Sequence, residues 1–226
     1  METMGSFQLL PKNLFNKYPS NISRAAKILL IFLIGLMAFS GCALWDKDKV
    51  AFHAINYPAP NPSKEPVSSE TIMVYRFLTD SSVDTQFLKI AEPRSNKRIV
   101  TSHAWIQDPS ETLTELVMRD LQSSGLFRKA VDQTSNVSYR YGLEGAIKKF
   151  EGLVSDRQGS GLIEAEIKLI DFEPEIIGKG ELFKKVYTVK APSKDTEPKS
   201  IVEALNKAVK EMSDKIREDV SRSIAR

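Results

Sequence analysis

The sequence has very few of the residues from which catalytic and metal centres are commonly built. It contains one cysteine, two histidines and two tryptophans among 226 residues. The single cysteine excludes an intramolecular disulfide, and neither His53 nor His103 belongs to a HExxH motif or a carboxylate–histidine cluster. No CxxC pair, P-loop or GxSxG elbow is present. The composition therefore nominates no catalytic site, no metal and no cofactor, and we predict that the protein is not an enzyme.

Long hydrophobic runs are also lacking. The apolar run at residues 28–39 is twelve residues long, whereas a membrane-spanning helix needs about 20. Residues 1–27 carry four bases and one acid, and Ser40 and Gly41 follow the apolar run. A basic start, a short apolar run and small residues before a cleavage point are typical of a secretory signal. An N-terminal transmembrane anchor is the alternative, and the length of the run argues against it.

The lone thiol, Cys42, follows this signal directly. Four roles are open to a single cysteine: an intermolecular bridge, a reactive thiol, an inert buried residue or a modified anchor. The tetrapeptide FSGC at 39–42 resembles a bacterial lipobox, although Phe39 stands where leucine is usual. That resemblance implies cleavage before Cys42, a diacylglycerol thioether on its sulfur, and an acyl chain such as palmitate on its amine. Several acyl chains together anchor a protein firmly. By resemblance to enterobacterial sorting, Ala43 favours the outer membrane.

The part of the chain after the signal has no excess of charge of either sign. The whole chain has a formal charge of +3, and residues 1–41 account for all of it, which leaves 28 bases and 28 acids. A neutral body lacks the basic footprint of a nucleic-acid-binding protein. The remaining 185 residues are enough for one core. We therefore predict a signal peptide at 1–41, a lipidated tether at 42–50 and one domain at 51–226.

Strand and helix patterns alternate along this domain. Short β-prone runs predict extended segments at 51–57, 71–78, 85–92, 98–105 and 126–131. Asp108, Pro109 and Glu111 form a helix start with a capping box, and Gly125 stands where a helix C-cap is expected.

Three later segments complete a meander, and a helix follows them. Apolar residues alternate with polar ones at 139–148 and 162–169, and a third strand is predicted at 182–191, which together predict an antiparallel meander. We interpret the two glycines of GSGLIEAEI as part of a hairpin turn. Ser200 and Glu203 predict the start of a last, amphipathic helix, whose apolar stripe is Val202, Leu205, Val209, Met212, Ile216 and Val220.

Charged and aromatic residues admit both functional and structural interpretations. Glu164 and Glu166 share a strand face, but Lys168 continues it, which favours a solvated surface over acid–base chemistry. His103, in a strand-like run, is interpreted as a half-buried structural or surface residue. Four aromatic residues are able to line a lipid cavity, but at this density such residues more often fill a core: Phe77, Trp105, Tyr141 and Phe150.

The ordered set of segments resembles the ABC-type transport auxiliary lipoproteins, the outer-membrane partners of Mce-type lipid transport systems. The segments that carry the resemblance cover roughly residues 50–222: INYPAPNP (55–62), TIMVYRF (71–77), HAWIQDP (103–109), LVMRDLQSSGLFRKAV (116–131), YRYGLEGAIKKFE (139–151) and IVEALNKAVKEMSDKIREDV (201–220). The resemblance implies an α/β (α+β) sandwich in which one mainly antiparallel sheet packs against two main helices.

The same resemblance implies an auxiliary role in the bacterial envelope. The partners would be the membrane, through acylated Cys42, and the Mce-domain substrate-binding protein, permease and ATPase of an ABC system; self-association is open, and no nucleic acid is expected. The first hypothesis is a docking adaptor that faces the periplasm. A lipid carrier, another envelope-assembly lipoprotein and, last, an envelope enzyme are the alternatives, because a fold does not fix a function.

Overall fold

The computed structural model describes residues 49–62, 67–79, 83, 86–92, 95–173 and 180–225, with the side chains of 92 and 95–98 excepted. The chain divides into two units, and these residues all belong to the second, Lys49–Arg226. The predicted signal peptide at 1–41 and Cys42 lie outside the described residues. The buried side chains of the second unit form one hydrophobic cluster of their own, as expected of an independently folding domain.

Within the described residues, nine strands and two helices make up the domain. The strands are β1 (Ala51–His53), β2 (Ser68–Val74), β3 (Leu78–Thr79), β4 (Phe87–Glu92), β5 (Ser95–Trp105), β6 (Phe127–Asp132), β7 (Tyr141–Ser155), β8 (Gln158–Asp171) and β9 (Glu181–Pro192). The helices are α1 (Pro109–Ser123) and α2 (Pro198–Ile224). The fold is α+β, with one mixed, largely antiparallel sheet and two helices packed against it. This confirms the predicted fold class.

The long strand β7 organises the sheet. Antiparallel β8 lies along one edge of β7, and β9 extends the sheet from β8. Three shorter strands pair parallel with β7: β2 near its start, β3 in its middle and β4 near its end. Strand β6 continues from β2, whereas β5 and then β1 continue from β4. The sheet therefore splits into a β2–β6 branch and a β4–β5–β1 branch. The sequence did not predict this, because parallel pairing joins segments far apart in the chain.

The meander β7–β8–β9 is confirmed, but its turn is not where the glycines predicted it. Ser155 pairs with Gln158, so the turn between β7 and β8 has two residues, Asp156 and Arg157, both with positive φ. This is the backbone twist that tight hairpins favour. Gly159 and Gly161 lie inside β8 instead. A Cβ on Gly161 would lie 2.5 Å from the backbone nitrogen of Leu205, so this glycine lets α2 pack directly on the sheet.

The two helices begin in different ways. The side chain of Asp108 accepts hydrogen bonds from the backbone N–H groups of Ser110 and Glu111, and Gly125 follows the C-cap of α1 with a φ of 68°. Both ends of α1 are therefore as predicted. The predicted cap of α2 at Ser200 is wrong, because the helix begins two residues earlier at Pro198. Proline fits the first turn of a helix, where its missing N–H needs no partner.

Both helices bury their apolar residues in one core with the sheet. Helix α2 packs across β7, β8 and β9, and α1 packs against β6 and α2. All six residues of the predicted stripe on α2 are buried. The four aromatic residues discussed above, Phe77, Trp105, Tyr141 and Phe150, are also buried in this cluster, and the rings of Trp105 and Phe150 lie 5.3 Å apart. They fill the core, and the small pocket that Trp105 borders, of about 60 Å³, is far below the size of a lipid site.

A buried carboxylate joins the two helices to the segment after β1. Asp120 of α1 is 1% exposed and accepts hydrogen bonds from the hydroxyls of Tyr57 and Ser213 at 2.8 and 2.7 Å. Arg119 donates to its other oxygen and to the carbonyl of Tyr57. Burial raises the pKa of Tyr57, which keeps its hydroxyl protonated and able to donate. Buried charges need such partners.

The sheet face opposite the helices carries ion pairs across β7, β8 and β9. Glu164 and Glu166 pair with Lys149 and Lys184 at 3.0 and 3.1 Å, and Lys168 lies within 4 Å of carboxylates on both neighbouring strands. These side chains are exposed or half-buried. The prediction of a solvated charged face is confirmed.

Candidate functional site

A surface cleft lies where β2, β6, the start of β7 and the end of β8 meet. Its volume is about 360 Å³. We call it the aromatic cleft, and its lining residues are Glu70, Thr71, Arg128, Ser138, Tyr139, Arg140, Phe172 and Glu173.

The backbone of Arg140 connects two walls of the aromatic cleft. Its N–H donates to the carbonyl of Thr71 on β2 at 3.1 Å, and its carbonyl accepts from the N–H of Phe172, just after β8, at 2.9 Å. These two bonds extend the ladder one residue beyond β7. The side chains on either side of Arg140 are thus attached to a paired backbone, which fixes the shape of the cleft better than a free loop would.

Two aromatic rings form the apolar part of the cleft. Phe172 is 50% exposed and meets Tyr139 edge to face, with ring centroids 5.7 Å apart. The Tyr139 hydroxyl lies 2.9 Å from that of Tyr75. Burial, together with this hydrogen bond, raises the pKa of Tyr75 to about 12. Phe172 rests on Gly142, where a Cβ would lie 2.6 Å from the ring. Any larger residue at position 142 would therefore displace the ring.

The two arginines of the cleft differ in their partners. Arg140 forms a two-pronged bond to Asp171, at 3.0 and 2.9 Å, and a further ion pair with Glu173. The hydrogen bond from Arg140 holds the pKa of Asp171 below its ordinary value. Arg128 on β6 is exposed and has no ion-pair partner within the described part of the chain. Arg140 is thus committed to the fold, whereas Arg128 is available to an acidic group of a partner.

One buried hydroxyl in the cleft also lacks a partner. Thr71 is 2% exposed, and its Oγ1 forms no hydrogen bond with any described residue. Buried polar atoms are nearly always hydrogen-bonded, so an orphan of this kind calls for an explanation. The hydroxyl is itself out of reach of solvent, so the surface of the cleft is made by the exposed aromatic rings and Arg128, a mixture of the sort found at protein–protein interfaces.

The two histidines lie together at the outer edge of the other branch. His53 of β1 and His103 of β5 stack with ring centroids 5.0 Å apart, and Nε2 of His53 lies 2.7 Å from Nδ1 of His103. One of these nitrogens donates and the other accepts, so at least one ring is neutral. Burial, with the nearby charges of His103 and Lys199, lowers the pKa of His53. His103 is half-buried, as predicted.

The structure describes some of the predicted functional residues but not all of them. Cys42 lies outside the described residues, so its acylation stays a prediction. In the described part of the chain, no group of three or more His, Cys, Asp and Glu side chains is arranged to hold a metal, and no helix is long and apolar enough to cross a membrane.

The sequence did not predict the aromatic cleft. Tyr139 was predicted to begin the apolar face of a strand, but it precedes β7 and is exposed. The alternation at 139–148 carries no signal for this, because a strand end and a strand interior share the same pattern.

The family profile of the ABC-type transport auxiliary lipoprotein component matches residues 58–217. These residues include α1, α2 as far as Arg217, most of the sheet and the whole aromatic cleft, but not β1. The chain therefore belongs to this family of transport auxiliary lipoproteins.

Two solved structures share the fold at low sequence identity. A crystal structure of a Xanthomonas campestris protein from the family DUF330 is 16% identical, covers 74% of this chain and 93% of its own, and superimposes with a TM-score of 0.65. A crystal structure described as an uncharacterized protein is 13% identical, covers 76% of this chain and 99% of its own, and has a TM-score of 0.59. No curated protein matches the sequence significantly.

Proposed function

We propose that the protein is a lipid-anchored docking adaptor of an Mce-type ABC transport system, held at the outer membrane and facing the periplasm. The observation that carries the proposal is the match of residues 58–217 to a family of ABC-type transport auxiliary lipoproteins. In this role the domain performs no chemistry. It binds the Mce-domain protein of the system and keeps it close to the membrane, while the permease and ATPase drive transport of a lipid or other hydrophobic solute.

The anchor in this proposal is Cys42, acylated after removal of residues 1–41. A basic segment, a short apolar run and the FSGC tetrapeptide support it. Cys42→Ala should leave the precursor uncleaved and without radiolabelled palmitate in growing cells. Trp45→Phe, which lies outside the FSGC tetrapeptide and keeps the thiol, is the matched control. Palmitate incorporation by the Cys42→Ala variant would contradict the anchor.

The aromatic cleft is the docking site in this proposal. Phe172 and Tyr139 supply apolar area, and Arg128 supplies a cation for an acidic side chain. Buried aromatic residues and arginine dominate the binding energy of most interfaces. The edge of the cleft is polar, as the edges of protein interfaces usually are.

Capture of the Mce-domain protein tests the docking site. Phe172→Ala combined with Arg128→Glu should weaken capture by at least about tenfold, because each change removes a contact in the class worth more than 1 kcal/mol. Val186→Ala combined with Lys184→Glu is the matched control, since it changes an equally exposed apolar residue and a lysine on β9, away from the cleft. Equal loss in both variants would argue against the cleft.

A lipid carrier is the second candidate function. A carrier needs a largely apolar concave site, and the aromatic residues able to line one are packed in the core. A further cavity, of about 560 Å³, lies at the β7–β8 hairpin and is lined mainly by polar residues, which include Ser155, Asp156, Gln158 and Lys190. Native mass spectrometry of the domain purified from cells separates the two functions. A stoichiometric bound lipid would favour the carrier, and an empty domain that captures the Mce protein would favour the adaptor.

A further inference from the structure

The outer edge of the β4–β5–β1 branch exposes large apolar side chains. Phe52 of β1 is 66% exposed and Ile106, directly after β5, is 67% exposed. The pairing of the two strands brings them together: Phe52 pairs with Ala104, and the N–H of Ile106 donates to the carbonyl of His53 at 2.8 Å. Val50, the residue before β1, is 40% exposed. Single exposed apolar residues are common, but a group at one edge marks an interaction surface.

The fold does not require these side chains. Strand β1 is held by its pairing with β5, by the stacked histidines, and by Ile55 and Tyr57, which enter the core just after it. Phe52 and Ile106 do not belong to the core cluster. Short edge strands more often carry charged residues, which prevent unwanted association. An edge that is apolar and dispensable for folding is suited to a contact outside the chain.

Lys49 is exposed and directly precedes Val50 at the start of this edge. Exposed apolar side chains with a lysine next to them suit the surface of an anionic bilayer, where apolar groups enter the headgroup region and a lysine attracts the lipid charge.

The position of β1 in the chain brings this edge close to the proposed anchor. Only six residues, 43–48, separate Cys42 from Lys49. Even fully extended, this tether spans about 25 Å, whereas a domain of the size of Lys49–Arg226 is about 40 Å across. The surface around β1 therefore stays nearer to the lipid than the far side of the domain can.

We propose that Phe52 and Ile106, with Lys49 at the start of the same edge, form a second membrane contact that binds the headgroup region of an anionic lipid bilayer. The contact adds to the acyl anchor and fixes the orientation of the domain, so that the aromatic cleft is presented to its partner in a defined direction. The tether argument depends on the proposed acylation of Cys42, whereas the exposed side chains and Lys49 do not.

Vesicle flotation of the unacylated chain tests this contact by itself. The probe is the mature chain from residue 42, with Cys42→Ser, mixed with vesicles of phosphatidylglycerol and phosphatidylethanolamine or of phosphatidylcholine alone. The chain should float with the anionic vesicles and less with the neutral ones. Phe52→Ser combined with Ile106→Ser should lower partitioning by at least about tenfold, because both apolar contacts are lost. Leu78→Ser combined with Val186→Ser, at two other exposed apolar residues, should leave it unchanged.

A second variant makes the test independent of any packing effect. Lys49→Glu should weaken the preference for anionic vesicles without touching an apolar residue. Failure of the unaltered chain to float, or equal flotation of the Phe52/Ile106 and Leu78/Val186 variants, would overturn the proposal. If the chain dimerises without lipid and the Phe52/Ile106 changes make it monomeric, the edge is an interface between two copies of the chain instead. Failure of palmitate labelling would remove the anchor but leave this result standing, so the two proposals fail separately.

Discussion

The two branches of the sheet end in surfaces of different chemistry. The β2–β6 branch ends at the aromatic cleft, where rings stand beside an exposed arginine and a two-pronged ion pair. The β4–β5–β1 branch ends in an apolar edge next to Lys49. Directional polar groups select a particular partner, whereas apolar contacts and loosely placed charges suit a fluid surface. In the two proposals made above, one domain therefore uses separate surfaces to recognise a protein and to contact a membrane.

The largest expected effect concerns the attachment of the β1 edge to the core. Asp120→Ala should lower the free energy of unfolding by about 3 kcal/mol, because it leaves the hydroxyls of Tyr57 and Ser213 buried without their acceptor. Chemical denaturation measures this change. The control is Asp214→Ala, which removes half-exposed ion pairs with Lys210 and Arg217 on α2. It should change the free energy of unfolding by less than about 1 kcal/mol. Equal losses would show that the Asp120 network is unimportant.

The next largest effect on stability is expected at Gly142, which lies beneath the ring of Phe172. Gly142→Ala places a methyl group against the ring of Phe172, which is half-exposed and able to move outward. We expect a loss of about 1 kcal/mol in unfolding free energy, together with weaker capture of the Mce protein. Gly161→Ala is the contrasting variant, because its methyl group would meet the backbone of α2, and it should destabilise more. Calorimetry ranks the two, and the reverse order would contradict this account of the cleft.

Acidification should destabilise the β1 edge at a higher pH than the aromatic cleft. The pKa of His53 lies below its ordinary value of 6.5, so below that value the unfolded chain binds more protons and the β1 edge loses stability as pH falls. The pKa of Asp171 lies below 3.8, so its bond with Arg140 persists until pH falls below that value. Hydrogen exchange, corrected for intrinsic rates, should show the amide of Ile106 opening between pH 7.5 and 5.5, while that of Phe172 stays protected.

A variant without the titrating ring completes this test. His53→Gln keeps a side chain able to bond to His103 but should abolish much of the pH response at Ile106. An unchanged response in this variant would assign the effect to another group.

The smallest expected effects are those of the two exposed phenylalanines on stability. Phe52→Ala and Phe172→Ala should each change the free energy of unfolding by less than about 1 kcal/mol, since both rings are at least half exposed. Each should impair a different binding activity: Phe52→Ala should impair flotation with anionic vesicles, and Phe172→Ala should impair capture of the Mce protein. Loss of both activities in either variant would remove the division between the two surfaces.

Local signals in the sequence predicted many of the elements. The cap at Asp108, the glycine at 125 and the apolar stripe of α2 depend on neighbouring residues alone, and the structure confirms all three. The strand predicted at 139–148 extends in the structure to Ser155. The prediction stopped early because a register shift between Ile147 and Lys149 interrupts the alternation of apolar and polar residues. A bulge moves the inward face by one residue, so a strict period of two ends there although the strand does not.

The sequence by itself determined the order of the elements, the apolar faces they bury, the balanced charge of residues 42–226, and the resemblance that the family match confirmed. Only the tertiary structure decided that β2, β3 and β4 share one edge of β7, that Asp120 joins three segments, that the histidines stack, and that the aromatic cleft exists. The physical reason is distance along the chain. Hydrogen-bond capping and amphipathic periodicity act over a few residues and leave a local pattern, whereas these contacts join residues 30 to 100 positions apart, as Tyr57, Asp120 and Ser213 illustrate.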